Sequence, residues 1–372
     1  MLCYCWLAAV ALSRLSAMLL GLLRVVYSAA AAVNQVSLPC QAALERACAG
    51  ARRASAEDCL ACASTHQRAL NWGGCKDAPI DVWCSGGDTP HSPPAAVCDV
   101  TTFGAMGDNR TVDTAAVQQA LRSCHAEHGG PRARVTVRFP APGRYLIGPV
   151  NVSSNTTLFV DAGATIVGLP HRSAYPRGEP VYGKDPEYLP LIGSWDTENV
   201  AILGANGTID GNGWAGGWYE NRWLLKGWEK GPRLIGMFRV RGLRIGNLTL
   251  RDGARWHVHP VWCHDINIHD LHIFAPREHA GHPLGGNDGI DPDSSSKVTI
   301  ERVYIDTGDD AISIKSVGPG PCTDVHIRDA TLISRNFAVG AHTTGGMSNI
   351  LLEDSRIGDD IGSSAVSLIG SQ

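Results

Sequence analysis

Positive charge is scarce in this chain: 32 Lys and Arg stand against 36 Asp and Glu across 372 residues, giving a formal net charge of −4. Without a basic excess the chain lacks the electrostatic footprint of a nucleic-acid binder, so no nucleic-acid partner is expected. The weak net sign neither predicts nor excludes a polyanionic ligand, because such binding depends on a local patch. Long apolar runs are missing too. The most apolar stretch, residues 1–32, is interrupted by Arg14 and Arg24, and neither part reaches the roughly 20 apolar residues of a clean membrane span. It ends in small residues at Ser28–Ala32 and reads as a secretory signal peptide, with an uncleaved membrane anchor as the minor alternative. Helical periodicity is absent between the apolar segments beyond residue 200. That excludes a barrel or a doubly wound sheet, whose strands alternate with helices.

Cysteine is present but unevenly spread. Six of the 12 fall at Cys40, Cys48, Cys59, Cys62, Cys75 and Cys84, inside a segment taken as residues 33–85. Behind a secretory signal these read as three disulfides stapling a small helical module. Cys59 and Cys62 form a Cys-x-x-Cys, but no second pair accompanies it, which argues against a zinc site. Residues 86–97, rich in Gly and Pro, read as a linker. Cys98 and Cys124 then flank a strand and the amphipathic stretch Thr114–Leu121, read as a helix over the first coil; a disulfide between them is expected, and Cys263 and Cys322 are left buried and free.

From residue 200 onward one apolar pattern recurs, with apolar residues at positions 1, 3, 6 and 8. It appears as Leu243, Ile245, Leu248, Leu250, again as Ile266, Ile268, Leu271, Ile273, and again as Val298, Ile300, Val303, Ile305. Val325, Ile327, Ala330, Leu332 repeat it, and Ile350, Leu352, Ser355, Ile357 repeat it weakly. Alternation within each half gives every strand one buried face, and the phase slip in the middle requires a bend. Starts 23, 32, 27 and 25 residues apart are spaced as in a solenoid. The fold expected over residues 98–372 is an all-β parallel β-helix.

Acidic residues cluster in GNDGIDPDSSSKVTIERVYIDTGDDAISIK, Gly286–Lys315: Asp288, Asp291 and Asp293 first, Asp309 and Asp310 after. The leading acids are 309 − 288 = 21 residues apart, about one coil, so Asp288 should lie one layer below the Asp309–Asp310 pair. Coils stack at about 4.8 Å, which lets such carboxylates share one substrate. Gly308 is expected to supply the turn that makes Asp309 and Asp310 converge. Like charges so crowded keep at least one proton or attract a cation, and a raised acid beside ionised ones is what glycoside hydrolysis uses. Asp beside Gly also suits ordinary turns, a reading that weighs most at Asp291 and Asp293.

The segments NDGIDPDSS and GDDAISIKS, with their offset, are similar to the active-site signature of glycoside hydrolase family 28, the polygalacturonase-like enzymes. VTTFGAMGDNRTVDTAAVQQAL, GRYLIGPVNVSSNTTLFVDAGATIVG and ARWHVHPVWCHDINIHDLHIFAP extend the likeness, which runs roughly from Cys98 to the end. The resemblance implies a right-handed parallel β-helix and an inverting mechanism on a uronic-acid-containing, pectic polysaccharide. By position, Asp309 would be the general acid, and Asp288 and Asp310 would hold and deprotonate the attacking water. Asn287, Asp291, Lys315 and His342 are the candidates for substrate binding, Lys315 either supplying positive charge or pairing with the acids. No metal and no cofactor are expected, and the chain should act as an extracellular monomer on a cell-wall polymer.

The family pattern is broken in three places. Gly286 stands where its first Asn is common. Ser334-Arg335-Asn336-Phe337 stands where Gly-His-Gly is usual, and Ala365-Val366-Ser367-Leu368-Ile369-Gly370 stands where Arg-Ile-Lys is usual. No Lys or Arg follows Arg356 and no capping segment closes the solenoid, so a truncated C-terminus is expected. These gaps keep open a catalytically impaired glycan-binding protein, and clustered Asp keeps open a Ca-dependent lyase. Sequons at Asn109, Asn151, Asn155, Asn206 and Asn247 agree with secretion. The aromatic stretch Trp214–Arg233 either walls the cleft or packs outside the coil, and Trp256, His257 and His259 are expected in core or cleft-floor packing.

Overall fold

The computed structural model describes residues 44, 48, 62, 96–128, 130, 133–181, 185–219, 231–279, 281–358 and 365–368. Contacts divide the chain into two units, Met1–Pro94 and Ala95–Gln372. In the first unit, Leu44 and Cys48 are helical and buried, and a disulfide joins Cys48 to Cys62. The signal segment, the other cysteines of the module and most of the linker lie outside the described residues. The strand Ala96–Asp99 takes in the last two residues assigned above to the linker.

The second unit is a parallel β-helix. Its main sheet runs in the order Ala96–Asp99, Val135–Phe139, Thr156–Val160, Glu198–Asp210, Arg241–Arg251, His264–Phe274, Ser296–Asp306, Cys322–Ile333 and Met347–Glu353, every pair parallel. A second face climbs through Val150–Asn151, Ile192–Trp195, Ile235–Phe238 and Val258–Val261. Single bridges at Ile290 and Asp293 carry it on to Asp310–Ser316, Asn336–Thr343 and Ala365–Leu368.

Register explains why the repeat was visible. Leu243, Ile266, Val298, Val325 and Ile350 pair across successive coils, as do Ile245, Ile268, Ile300, Ile327 and Leu352. Each column is therefore a continuous apolar stack. The phase slip falls on Asn247, Asp270, Arg302, Asp329 and Asp354, whose φ values are 55°, 51°, 51°, 50° and 46°. Each is a left-handed residue; the first four bend one continuous strand and Asp354 stands between Met347–Glu353 and Arg356–Ile357, and four of the five are the Asn or Asp that tolerate this conformation best. The same geometry accounts for Asn109, Asn155, Asn206 and Asn247, sequon residues that all have positive φ.

The helix Thr114–Glu127 covers the first coil and extends six residues past the predicted stretch. Val117, Ala120, Leu121 and Cys124 form its buried stripe, and Cys124 is bonded to Cys98. Cys263 and Cys322 are buried and free, as expected.

Ile300 is fully buried in the centre of its column. Ile300→Ala is predicted to cost about 2–5 kcal/mol, read as a lower denaturant midpoint at unchanged m; a cost below about 1 kcal/mol would mean the column is not the core.

Candidate active site

The stretch Gly289–Asp293 forms the coil between Val258–Val261 and Asp310–Ser316, with Ile290 bridged to Ile312 and Asp293 to Lys315. Gly289 N donates to Asp310 O at 2.9 Å, so Asp288 sits one coil below Asp310 as the spacing predicts. Gly289 must be glycine here: a Cβ would lie 2.4 Å from Ala311 O. Gly308 stands with Asp309 in the bend that enters the strand, as expected. It is not among the positive-φ residues, but a Cβ would lie 2.6 Å from Pro276 O and 2.8 Å from Leu284 O. It allows close approach, and the strand begins one residue after Asp309, at Asp310.

Two carboxyls meet at one buried ammonium, with Asp309 and Asp310 beside them. Lys315 Nζ lies 3.1 Å from Asp288 Oδ2 and 2.8 Å from Asp291 Oδ2, and 4.2 Å from the centre of the Trp256 ring. Of the two roles considered for Lys315, the geometry gives pairing with the acids. Burial alone would push its pKa down, but Asp291 and Asp288 outweigh it and hold it above the usual value. Burial and then the charge of Asp288 push Asp291 well above the ordinary carboxylate range. Asp310 is raised by burial and by Asp288; its Oδ1 accepts from Asn336 Nδ2 at 3.0 Å. Asp309, like Asp310, is partly exposed, with 23 % of its side chain open. Burial and Asp288 raise its pKa to about 6, against the Gly286 N–H that donates to Oδ2 and Arg335 at 3.8 Å from Oδ1.

The other candidates separate. Asn287 is buried and donates from Nδ2 to Pro276 O at 2.8 Å, fixing the corner next to Gly308. Asp293 accepts from Val317 N at 2.8 Å and from Ser294 Oγ at 3.1 Å, and faces His259. His342 is exposed at the far end of its strand, where Ala341 and Thr343 pair with Lys315 and Ser316. The structure does not bring it to Asp310, which pairs with Asn336. Arg335 and Asn336, noted in the sequence only as the place where Gly-His-Gly is missing, are the residues that contact Asp309 and Asp310. Each lies 26 residues beyond its acid (335 − 309 and 336 − 310), so the one-coil argument that placed Asp288 would have found them.

Below the acids, His257 and His259 are fully buried, and burial lowers their pKa values to about 4 and about 3. His257 Nε2 accepts from Gly253 N at 3.1 Å, which leaves Nδ1 to donate to Asp288 O at 2.9 Å. It clamps the backbone that carries Asp288. His259 Nδ1 accepts from Arg233 Nε at 2.6 Å, and Arg233 and Arg255 share Glu187. The segment where the resemblance expects Arg-Ile-Lys contains the strand Ala365–Leu368, paired with Asn336–Val339.

A parallel solenoid that gathers carboxyls of unequal acidity on one face defines a candidate polysaccharide-active β-helix. Residues 134–348 match the model of glycosyl hydrolases family 28, and the chain belongs to that family. It is 34 % identical over 271 residues to a Vitis vinifera protein named "Probable polygalacturonase", covering 68 % of this chain and 53 % of that one. It is 29 % identical over 240 residues to a Zea mays exopolygalacturonase, 63 % and 52 % of the two chains. Among solved structures it is similar to an exopolygalacturonase from Thermotoga maritima, with a TM-score of 0.58, 26 % identity, and coverage of 70 % of this chain and 66 % of that one. The chain spans about half the length of the curated relatives it matches.

Because Arg335 is the charge that opposes the rise of Asp309, Arg335→Ala should move the Asp309 titration upward from about 6. Carboxyl NMR of Asp-labelled protein, assigned by its loss in Asp309→Asn, reads this directly; a midpoint near the ordinary 3.8 in both proteins contradicts the described environment.

Proposed function

We propose that this chain is an inverting, polygalacturonase-like hydrolase of O-glycosidic bonds in a uronic-acid-containing polysaccharide. The observation that carries the reading is Asp309: an accessible carboxyl raised to about 6, next to Asp288 and Asp310 stacked in adjacent coils. Asp309 donates its proton to the leaving oxygen. Asp288 and Asp310 hold water on the opposite side of the sugar ring and take its proton, and inversion requires a gap of about 6.5–9.5 Å for that water. Asp309 must be protonated to act, so activity falls as pH rises through about 6. The Lys315 ammonium fills the space between Asp288 and Asp291, which favours chemistry without a divalent cation over the lyase alternative. An extracellular, monomeric protein acting on a cell-wall polymer fits this reading. Among the described residues no helix is long and apolar enough to cross a membrane.

Asp309→Asn should reduce the release of reducing ends from polygalacturonate by about 10²–10⁴-fold, with wild-type activity insensitive to chelator. Loss with chelator, and products with unsaturated ends, would identify a lyase instead. Polygalacturonate bound equally by wild type and Asp309→Asn, with no product from either, would identify a binding protein.

A further inference from the structure

The peptide that joins Asp288 to Gly289 is held from both sides. Above it, Gly289 N donates to Asp310 O at 2.9 Å. Below it, Asp288 O accepts twice from one residue, from the backbone N of His257 and from its Nδ1, each at 2.9 Å. The first bond belongs to the ladder between coils and needs no particular side chain. The second comes from the imidazole alone. Gly253 N, donating to Nε2 at 3.1 Å, fixes the ring from its other end, and a Cβ on Gly253 would lie 3.1 Å from Cδ2 and Nε2 of that ring.

An imidazole bonded at both nitrogens keeps one tautomer and one orientation. His257 is fully buried, and burial lowers its pKa to about 4, so at higher pH the Nδ1 proton and the Nε2 lone pair stay where these bonds need them. The peptide it grips carries a carboxyl that has to be aimed. Asp288 is only 4 % exposed and Lys315 Nζ holds its Oδ2 at 3.1 Å, while Oδ1 has no hydrogen-bond partner among the described residues. Oδ1 is therefore the oxygen left for the attacking water, and its place follows the backbone below it.

We infer that His257 is a positioning residue for hydrolysis: its Nδ1 bond to Asp288 O sets where the Asp288 carboxyl stands relative to Asp309. The inference rests on the hydrolase reading above. Being fully buried, His257 reaches no part of the polymer. Its loss therefore falls on turnover and not on binding. A reacting group displaced by about 1 Å costs about 10²-fold in rate, and the imidazole is the one side chain that holds this carbonyl.

The test is kcat and KM on polygalacturonate for two variants that separate the two bonds of the ring. His257→Asn keeps an amide donor at the place of Nδ1 and gives up the acceptor for Gly253 N. His257→Gln puts its amide at the place of Nε2 and leaves Asp288 O without a side-chain donor. Gln should lower kcat about 10²-fold with KM little changed, and Asn should recover most of the loss. A histidine needed only for packing gives losses that follow stability and ignore which amide is present. Wild-type kcat in the Gln variant, or equal kcat in both, overturns the inference alone where the wild type cleaves polygalacturonate. Nitrogen NMR of histidine-labelled wild type tests it without any substitution: His257 should carry its proton on Nδ1, and the Nε2–H tautomer overturns the inference. A wild type that does not cleave polygalacturonate overturns the hydrolase reading and the positioning role with it.

Discussion

Parallel, in-register stacking is the constraint on which both the core and the acid cluster depend. Coils repeat at about 4.8 Å, so whatever occupies a position in one coil meets its equivalent in the next. For Leu243, Ile266, Val298 and Val325 that produces an apolar column. On the second face the same rule sets Asp288 beneath Asp310 and Asp310 beneath Asn336. A solenoid cannot disperse like charges that share a column; it has to neutralise them where they stand.

Lys315 does most of that neutralising. Its ammonium is held between Asp288 and Asp291 above the Trp256 ring, and all four side chains are buried. Burial first, and then the charge of Asp288, raises the pKa values of Asp291, Asp309 and Asp310. Beneath it the signs alternate again, from Arg255 to Glu187, Arg233, His259 and Asp293. A buried chain of this kind fixes geometry more than it adds stability, since desolvation offsets much of the Coulomb gain.

How far the sequence could be read follows from this arrangement. The core was legible because periodic burial writes itself into periodic apolarity, and even the bend showed as a phase slip whose residues are mostly Asn and Asp. The stacking of Asp288 under Asp310 was legible from one number, the coil length. Arg335 and Asn336 lie one coil, 26 residues, beyond their acids, but they stood out in the sequence only as the place where Gly-His-Gly is missing. His342 attracted attention as a histidine near the right place, yet it lies six residues beyond Asn336 on the same strand, level with Lys315 and Ser316 rather than with Asp310. What Gly308 does was out of reach, because its need is set by Pro276 and Leu284, which are distant in sequence.

The differentiation of the three proposed catalytic aspartates comes from their neighbours, since the side chains are identical. Asp288 has the ammonium of Lys315 at 3.1 Å and is nearly inaccessible. Asp310 is held by the Asn336 amide, a group that does not titrate. Asp309 has the distant guanidinium of Arg335 and partial exposure, and the charge of Asp288 adds to burial in driving its pKa up. A proton shared by this set is therefore best kept where a substrate oxygen can reach it. In the coil above, an amide and a guanidinium, rather than an imidazole, contact these carboxyls. The protonation of the proposed site is then governed by the aspartates themselves, with Asp309 and Asp310 in one layer of the solenoid and Asp288 in the layer below.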